Sequence, residues 1–326
     1  MRGVFILSLD TELAWGALHN RGHIARQHLY EQTRPAIKRL LALHEEFGIE
    51  ATWAIVGSLF ETGYPETGGM KHPELVRPTY GWLKDDWLEP VPAGDSKTAP
   101  NWYAPDIVES VLECSAPQEV GCHTFTHVIV GEPGCSRACF DSELAACQAA
   151  ASKWGVELKT LVFPRNSIGH LDVLASHGFQ AFRGNVSAPW QRFFPGPVGK
   201  AARGMQWTLP VPPLTAAPKR VGSLWDLPAT TLYLHRGGVA GRIPIELRVR
   251  RARSGIRQAI RRGETFHLYF HPFNLATDPD GMLDGLRRIY QTVATERDQG
   301  RLLNLTMKGL ADSLGPASTA SGSKPT

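Results

Sequence analysis

The sequence predicts an α/β protein in which roughly six to eight short parallel strands curl into an incomplete (β/α) barrel. Three observations lead there. Short, continuous apolar runs recur along the chain. Stretches with helical spacing separate many of them, and Gly or Pro marks several junctions. A strand that is apolar at every position is covered on both faces, as parallel strands are. At 326 residues the chain is long enough for two ordinary domains, but an α/β barrel of this length also forms one. With 42% hydrophobic and 20% charged residues, it is globular and can bury a large core.

The elements follow in order. Residues 4–9 form an apolar run that reads as a buried strand. Residues 35–47 place Ile37, Leu40, Leu41, Leu43 and Phe47 at helical spacing. Pro35 suits the first turn of that helix and Gly48 its C-terminal cap. A strand at 51–56, a short helix at 107–112 and a strand at 119–124 come next. Then follow a helix at 141–154, a strand at 158–163, a helix at 171–176 closed by Gly178, and a strand at 179–183. Strands at 231–234 and 265–270 and a long helix at 281–297 complete the reading. Residues 62–105, rich in Pro, Gly and Trp, and residues 187–229, with eight prolines, lack periodicity. Loops of this length often build lids or binding walls. Residues 313–326 are small and polar and read as a disordered tail. The expected organisation is therefore one domain over 1–312 carrying two long loop insertions.

A formal net charge of +4 is mild and does not imply a nucleic-acid partner. Five cysteines without a framework spacing argue for free thiols in a reducing compartment. Cys135, Cys139 and Cys147 fall on one face of a helix and read as small buried residues. The apolar run near the start is too short for a secretory signal, and no stretch approaches the ~20 residues of a membrane span. These features predict a cytoplasmic protein. Residues 236–262 hold nine arginines and one acid, Glu246, interleaved with Ile245, Leu247, Val249, Ile256 and Ile260. The segment reads either as a solvated outer helix or as a contact for an anionic membrane surface or a phosphate-linked sugar.

Three polar clusters fall at the ends of predicted strands. Asp10 and Glu12 are two apart, so an extended chain points both to one side. His123 and His127 can converge on one metal if the chain turns after His123; zinc takes neutral imidazole readily. His267 and His271 are an even number of residues apart on the strand at 265–270. Singly, each cluster also fits a cap, a turn or a buried structural histidine. Together they collect at the carboxyl ends of strands, where barrels build their sites.

The segments Ser8-Leu9-Asp10-Thr11-Glu12, residues 51–57 (ATWAIVG), residues 119–127 (EVGCHTFTH) and the strand ending in His271 resemble the polysaccharide deacetylases of the NodB-homology type, carbohydrate esterase family 4. The resemblance runs from about residue 3 to residue 274. It implies a distorted, TIM-like (β/α) barrel of seven or eight strands and the hydrolysis of N-acetyl or related acyl groups on amino sugars. It also implies roles: Asp10 as catalytic base, Glu12, His123 and His127 as metal ligands, His271 as general acid, and Arg165 as an orienting residue. A divalent ion is implied, with zinc best suited to the donor set. The sequence departs from the family in reading Asp-Thr-Glu where adjacent aspartates are usual. It also reads Pro164-Arg165-Asn166 at the Arg motif and Phe270-His271-Pro272-Phe273-Asn274 at the terminal one.

The partner implied is an N-acetylated carbohydrate, lipid- and nucleotide-linked forms included. The basic stretch extends the expectation to peripheral contact with the inner membrane face. Trp15, Trp82, Trp87, Trp102, Tyr103 and Trp190 are candidates for packing against sugar rings. Two other functions compete: a C–N hydrolase of a cyclic amide or ureide on the same scaffold, and an inactive sugar-binding module.

Overall fold

The computed structural model describes residues 2–64, 70–186 and 215–315. Strand β1 (Gly3–Thr11) is followed by helices α1 (His23–Glu31) and α2 (Thr33–Phe47), then β2 (Ala51–Ile55). A two-stranded ribbon, β3 (Gly63–Tyr64) with β4 (Gly94–Asp95), precedes α3 (Pro105–Leu112) and β5 (Gln118–Cys122). Next come α4 (Arg137–Ser152), β6 (Thr160–Val162), α5 (Leu171–Ser176) and β7 (Ala181–Arg183). The remainder holds β8 (Lys219–Val221), β9 (Leu224–Asp226), β10 (Thr231–Leu232), α6 (Ile245–Arg262), β11 (Thr265–Phe270), α7 (Pro279–Asp298), β12 (Leu302–Asn304) and α8 (Met307–Leu314).

Ten of these strands form one sheet in the order β10-β11-β1-β2-β5-β6-β7-β9-β8, with β12 beside the first residues of β1. From β10 to β9, eight strands run parallel, and only β8 is antiparallel to its neighbour. The sheet is curled into the distorted barrel the sequence predicts. Several predicted elements are trimmed: the strand expected at 158–163 is Thr160–Val162, and that at 179–183 is Ala181–Arg183. Helix α1 escapes the sequence reading because Tyr30 is its one buried residue, so it has no apolar stripe. Gly48 closes α2 in the left-handed conformation, at φ 58°, as expected.

The pleat of β1 sorts its residues into two environments. Phe5, Leu7 and Leu9 join the large cluster beneath the outer helices. Ile6 points the other way and packs with Ala54, Val162, Ala181 and the α8 residues Met307, Leu310 and Ala311. The N-terminal end of the barrel interior is thus plugged by α8. Glu119 ties that plug in place, accepting hydrogen bonds from Thr52 Oγ1 (2.7 Å) and Lys308 N (2.9 Å). Above Ile6 the same face of β1 presents Ser8 and then Asp10. The barrel axis therefore runs from an apolar base to a polar mouth.

Much of the positive charge of the basic stretch is spent inside the molecule. Arg248 is buried and donates to the carbonyls of Leu234 (2.9 Å), His235 (2.9 Å), Ala240 (2.8 Å) and Ile243. Arg250 pairs with Glu246, Arg236 with Asp278, and Arg253 bonds Thr292 and the Arg288 carbonyl. Helix α6 packs its apolar face on β1, β11 and α7. Among the described residues, no helix is long and apolar enough to cross a membrane.

Replacing Arg248 with Met keeps the packing volume but orphans the carbonyls of residues 234–243. Each unsatisfied buried polar group costs about 1–3 kcal/mol, so Arg248→Met should lower stability by about 3 kcal/mol or more. Urea unfolding of the two proteins checks this, and equal midpoints would contradict it.

Candidate metal centre and active site

The carboxyl ends of four strands converge on one point. Asp10 is near the end of β1 and Glu12 follows it; His123 follows β5, Arg183 ends β7 and His271 follows β11. Asp10, Glu12, His123, His127 and Arg183 are buried, while the His271 side chain is 28% exposed and reaches in from the open side.

Glu12 Oε2 lies 3.0 Å from His127 Nε2 and 3.5 Å from His123 Nε2. One donor atom from each residue falls within 4.8 Å of the others, the separation of atoms that share one cation. The donor chemistry fits as well. His123 Nδ1 donates to the Val162 carbonyl at 2.7 Å, which fixes the proton on Nδ1 and leaves the Nε2 lone pair facing Glu12. Burial lowers the His127 pKa and favours its neutral, ligating form. Burial alone would raise the pKa of Glu12, but the His271 charge and the close imidazoles of His123 and His127 hold it well below the usual carboxylate range. Gly16 makes room for this carboxylate: a Cβ there would collide with Glu12 Oε1.

Asp10 sits beside the trio in a bidentate pair with Arg183, with Arg183 Nη2 2.7 Å from Asp10 Oδ2 and Nη1 on Oδ1. Burial would raise the Asp10 pKa; the charge and hydrogen bond of Arg183 together with the charges of His271 and His123 outweigh it and keep the group ionised. Arg183 Nη1 also donates to Ser8 Oγ (3.0 Å), Nη2 donates to Asn166 Oδ1 (3.1 Å), and the guanidinium lies 4.5 Å above the Tyr269 ring. His271 Nε2 stands 3.7 Å from Asp10 Oδ2 and 3.6 Å from Glu12 Oε1. His267, the other histidine of its strand, is fully buried below the site. Its Nε2 is 2.8 Å from Ser8 Oγ, and burial followed by the Arg183 charge lowers its pKa to about 3.

The turn from His123 to His127 is the strained part. Thr124 (φ 58°) and His127 (φ 61°) are both left-handed, a region costing about 1–3 kcal/mol for such residues. Neighbours hold it there. Gly57 N donates to the Thr124 carbonyl (2.8 Å), and Ser58 Oγ to the Phe125 carbonyl (2.7 Å). From α4, the buried Glu143 accepts from Phe125 N (2.8 Å), Thr126 N (2.7 Å) and Thr126 Oγ1. Trp87 Nε1 reaches the Thr126 carbonyl at 3.1 Å.

The site opens into a cavity of about 800 Å³ whose lining includes Glu12, His19, Arg26, His127, Arg165, His235, His271 and Phe273. The predicted residues Asp10, Glu12, His123, His127 and His271 come together; Arg165 reaches the cavity wall instead. The guanidinium that orients Asp10 is Arg183, from the end of the next strand. The expectation for the aromatic residues also changes. Trp15, Trp87, Trp102 and Tyr103 are buried and do not line the cavity; their indole and phenol groups bond carbonyls at Trp102, Thr126 and Pro92, and the Trp102 ring stacks edge-on with Trp15. Trp82 is 42% exposed and stacked on Tyr80, and Trp190 lies outside the described residues. Sequence reasoning missed Arg183 and Glu143. Glu143 had a signal: it interrupts the apolar stripe of Cys139, Phe140, Leu144 and Cys147 on α4.

Glu143 carries a pH prediction. Burial raises its pKa to about 7 from an ordinary 4.5, against the pull of its three donors. The folded state then binds the proton more tightly than the unfolded one. The stability this contributes is full below pH 4.5 and is lost as pH rises through about 7, by about 3 kcal/mol at most. Wild type should therefore lose stability relative to Glu143→Gln between pH 5 and pH 8; a gap that stays constant across that window contradicts the assignment.

No family model matches the chain, and no curated protein sequence matches it. Solved structures do. A protein from Mycobacterium smegmatis assigned as a polysaccharide deacetylase aligns over 98% of this chain and 94% of its own, at a TM-score of 0.62 and 14% identity. A second protein so assigned, from Pseudomonas aeruginosa PAO1, and the Puue allantoinase each align over 95% of this chain and 89% of their own, at a TM-score of 0.59 and 10% identity. At such identities the likeness speaks for architecture. The chain has the distorted-barrel fold of the NodB-homology polysaccharide deacetylases.

Proposed function

We propose that the chain is a metal-dependent hydrolase that removes an N-acetyl or related acyl group from an amino sugar. The observation that carries this reading is the convergence of Glu12, His123 and His127 on one point, with Asp10 and His271 flanking it at the mouth of an open cavity.

An amide resists water because its carbonyl is a poor electrophile and its amine a poor leaving group. Glu12, His123 and His127 would hold a divalent cation, zinc being suited to two imidazoles and a carboxylate, and it would supply Lewis acidity to the carbonyl and to the attacking water. Asp10, kept ionised and aimed by Arg183, takes the proton from that water. His271, on the open side and within 4 Å of both carboxylates, delivers a proton to the departing amine. Arg183 does not touch substrate in this scheme; it fixes the base.

The Puue allantoinase shares the fold to the same extent as one of the deacetylases, so hydrolysis of a small cyclic amide is the second reading. Neither reading needs membrane contact, since Arg236, Arg248, Arg250 and Arg253 already have partners within the protein.

Three measurements test the proposal. Glu12→Gln should reduce zinc carried through purification from about one ion per chain to a small fraction of that, read by mass spectrometry. Unchanged zinc content would remove Glu12 from the ligand set. Asp10→Asn should lower kcat for acetate release about 10²–10⁴-fold while leaving sugar binding nearly unaltered, as expected of a base and not of a binding module. Acetate release assayed over N-acetylated sugars, with allantoin as the competing substrate, decides between the readings: turnover of allantoin alone would refute the sugar assignment.

A further inference from the structure

The cavity above the candidate centre has an unbalanced charge. Among its described lining residues Glu12 is the one carboxylate, and it faces the two histidine ligands. The lining also holds Arg26 from α1 and Arg165 from the turn after β6. Both guanidiniums share this lining with His19: burial and then the charges of Arg165 and His127, with a smaller part from Arg26, push its pKa down to about 4.

Other arginines around this mouth are already committed. Arg183 holds Asp10, Arg236 meets Asp278 at 3.1 Å, Arg21 pairs with Asp85 and Glu89, and Arg248 is bound to carbonyls. Arg26 touches Tyr30 on its own helix, but no carboxylate among the described residues pairs with Arg26 or Arg165. The turn that presents Arg165 is fixed. Arg165 and Asn166 are both left-handed (φ 56° and 53°), Asn166 Oδ1 accepts from Arg183, and the Asn166 carbonyl accepts from Asn185 Nδ2 at 3.1 Å. The backbone that carries Arg165 is thus braced by the residue that aims the base.

Resting on the hydrolase reading above, we infer that the substrate is a phosphorylated amino sugar whose phosphoryl group is held between Arg26 and Arg165. Two uncompensated guanidiniums match the charge and the several oxygens of a phosphate ester better than a single carboxylate. The acyl group then points to the buried end of the cavity and the phosphate to its rim. Apolar residues Leu29, Leu232, Leu234 and Phe273 share that lining, so both a nucleotide-linked and a lipid-linked phosphate satisfy the chemistry.

Calorimetric titration of the zinc-loaded full chain tests this with deacylated ligands, so that no turnover is required. The ligands are glucosamine, glucosamine 1-phosphate, glucuronic acid, UDP-glucosamine and a short isoprenyl phosphodiester of glucosamine. Glucosamine 1-phosphate should bind about tenfold or more tightly than glucosamine and glucuronic acid. The tighter of the two diesters identifies the source of the phosphate. Arg26→Gln and Arg165→Gln should each erode the preference several-fold, and the lysine variants should restore part of it. Both arginines are solvent-accessible, so folded variants are expected, and circular dichroism confirms it. The preference should survive in Glu12→Gln. Equal binding of glucosamine and its phosphate, a preference untouched by both glutamine variants, or a preference lost with Glu12 (phosphate on the ion) would each overturn the inference. Acetate release from N-acetylglucosamine and from N-acetylglucosamine 1-phosphate separates the two proposals: turnover without a phosphate preference sinks the subsite alone, and a preference without turnover of either sugar sinks the hydrolase alone.

Discussion

The buried pair of Asp10 and Arg183 joins strands on opposite sides of the curled sheet, since β2, β5 and β6 lie between β1 and β7. Both side chains are almost fully withdrawn from water. Such a pair adds little net stability over an apolar filling, yet losing one partner strands a charge and costs about 3–5 kcal/mol. The pair is therefore a geometric device more than a source of stability. It fixes the distance across the barrel mouth, it aims one carboxylate, and through Ser8 and Asn166 it engages a second position of β1 and the turn after β6. The ligand trio assembles beside it because the next same-side residue after Asp10 is Glu12.

That relation shows what the sequence could disclose. The β1, β5 and β11 sites were legible because each apolar run stops abruptly in Asp, Glu or His, and polar residues at strand ends in a barrel have one place to go. The spacing of two between Asp10 and Glu12 also translated directly into a shared site. Arg183 was not legible in the same way. It ends a run that reads as an ordinary short strand, and its role depends on β7 standing opposite β1, which only the sheet order reveals. Arg165 was assigned the orienting role from its motif position, but its left-handed backbone turns it outward to the cavity wall. Glu143 illustrates a third case: a carboxylate inside an apolar helical stripe is visible in sequence, whereas the loop it holds is not.

The basic segment teaches a similar lesson about charge. Nine arginines in 27 residues look like a binding face when counted along the chain. In space the segment divides: Arg248 serves as a bracket for the 234–243 loop, and several others close onto acids or carbonyls. Charge density in sequence overstates available charge wherever carbonyls and carboxylates lie within reach. Among the described residues lining the cavity, the guanidiniums without a carboxylate partner are instead Arg26 and Arg165, which are far apart in sequence and belong to no charge run.

Part of the backbone strain follows the same geography. Thr124, His127, Arg165 and Asn166 are left-handed without being glycine, and all four lie just beyond the carboxyl ends of β5 and β6. Thr is β-branched, for which that region is least tolerated. Such conformations persist where surrounding contacts over-determine them. Here those contacts are identifiable: Gly57, Ser58 and Glu143 for the first turn, Arg183 and Asn185 for the second. The first turn brings two imidazoles onto one carboxylate; the second supports the base and carries a guanidinium to the rim. An undirected fold would have relaxed both turns with glycine. That neither turn contains one at these positions, while each is clamped from a neighbouring element, argues that the side chains at these positions, and not only the path of the backbone, are what the barrel mouth is built to present.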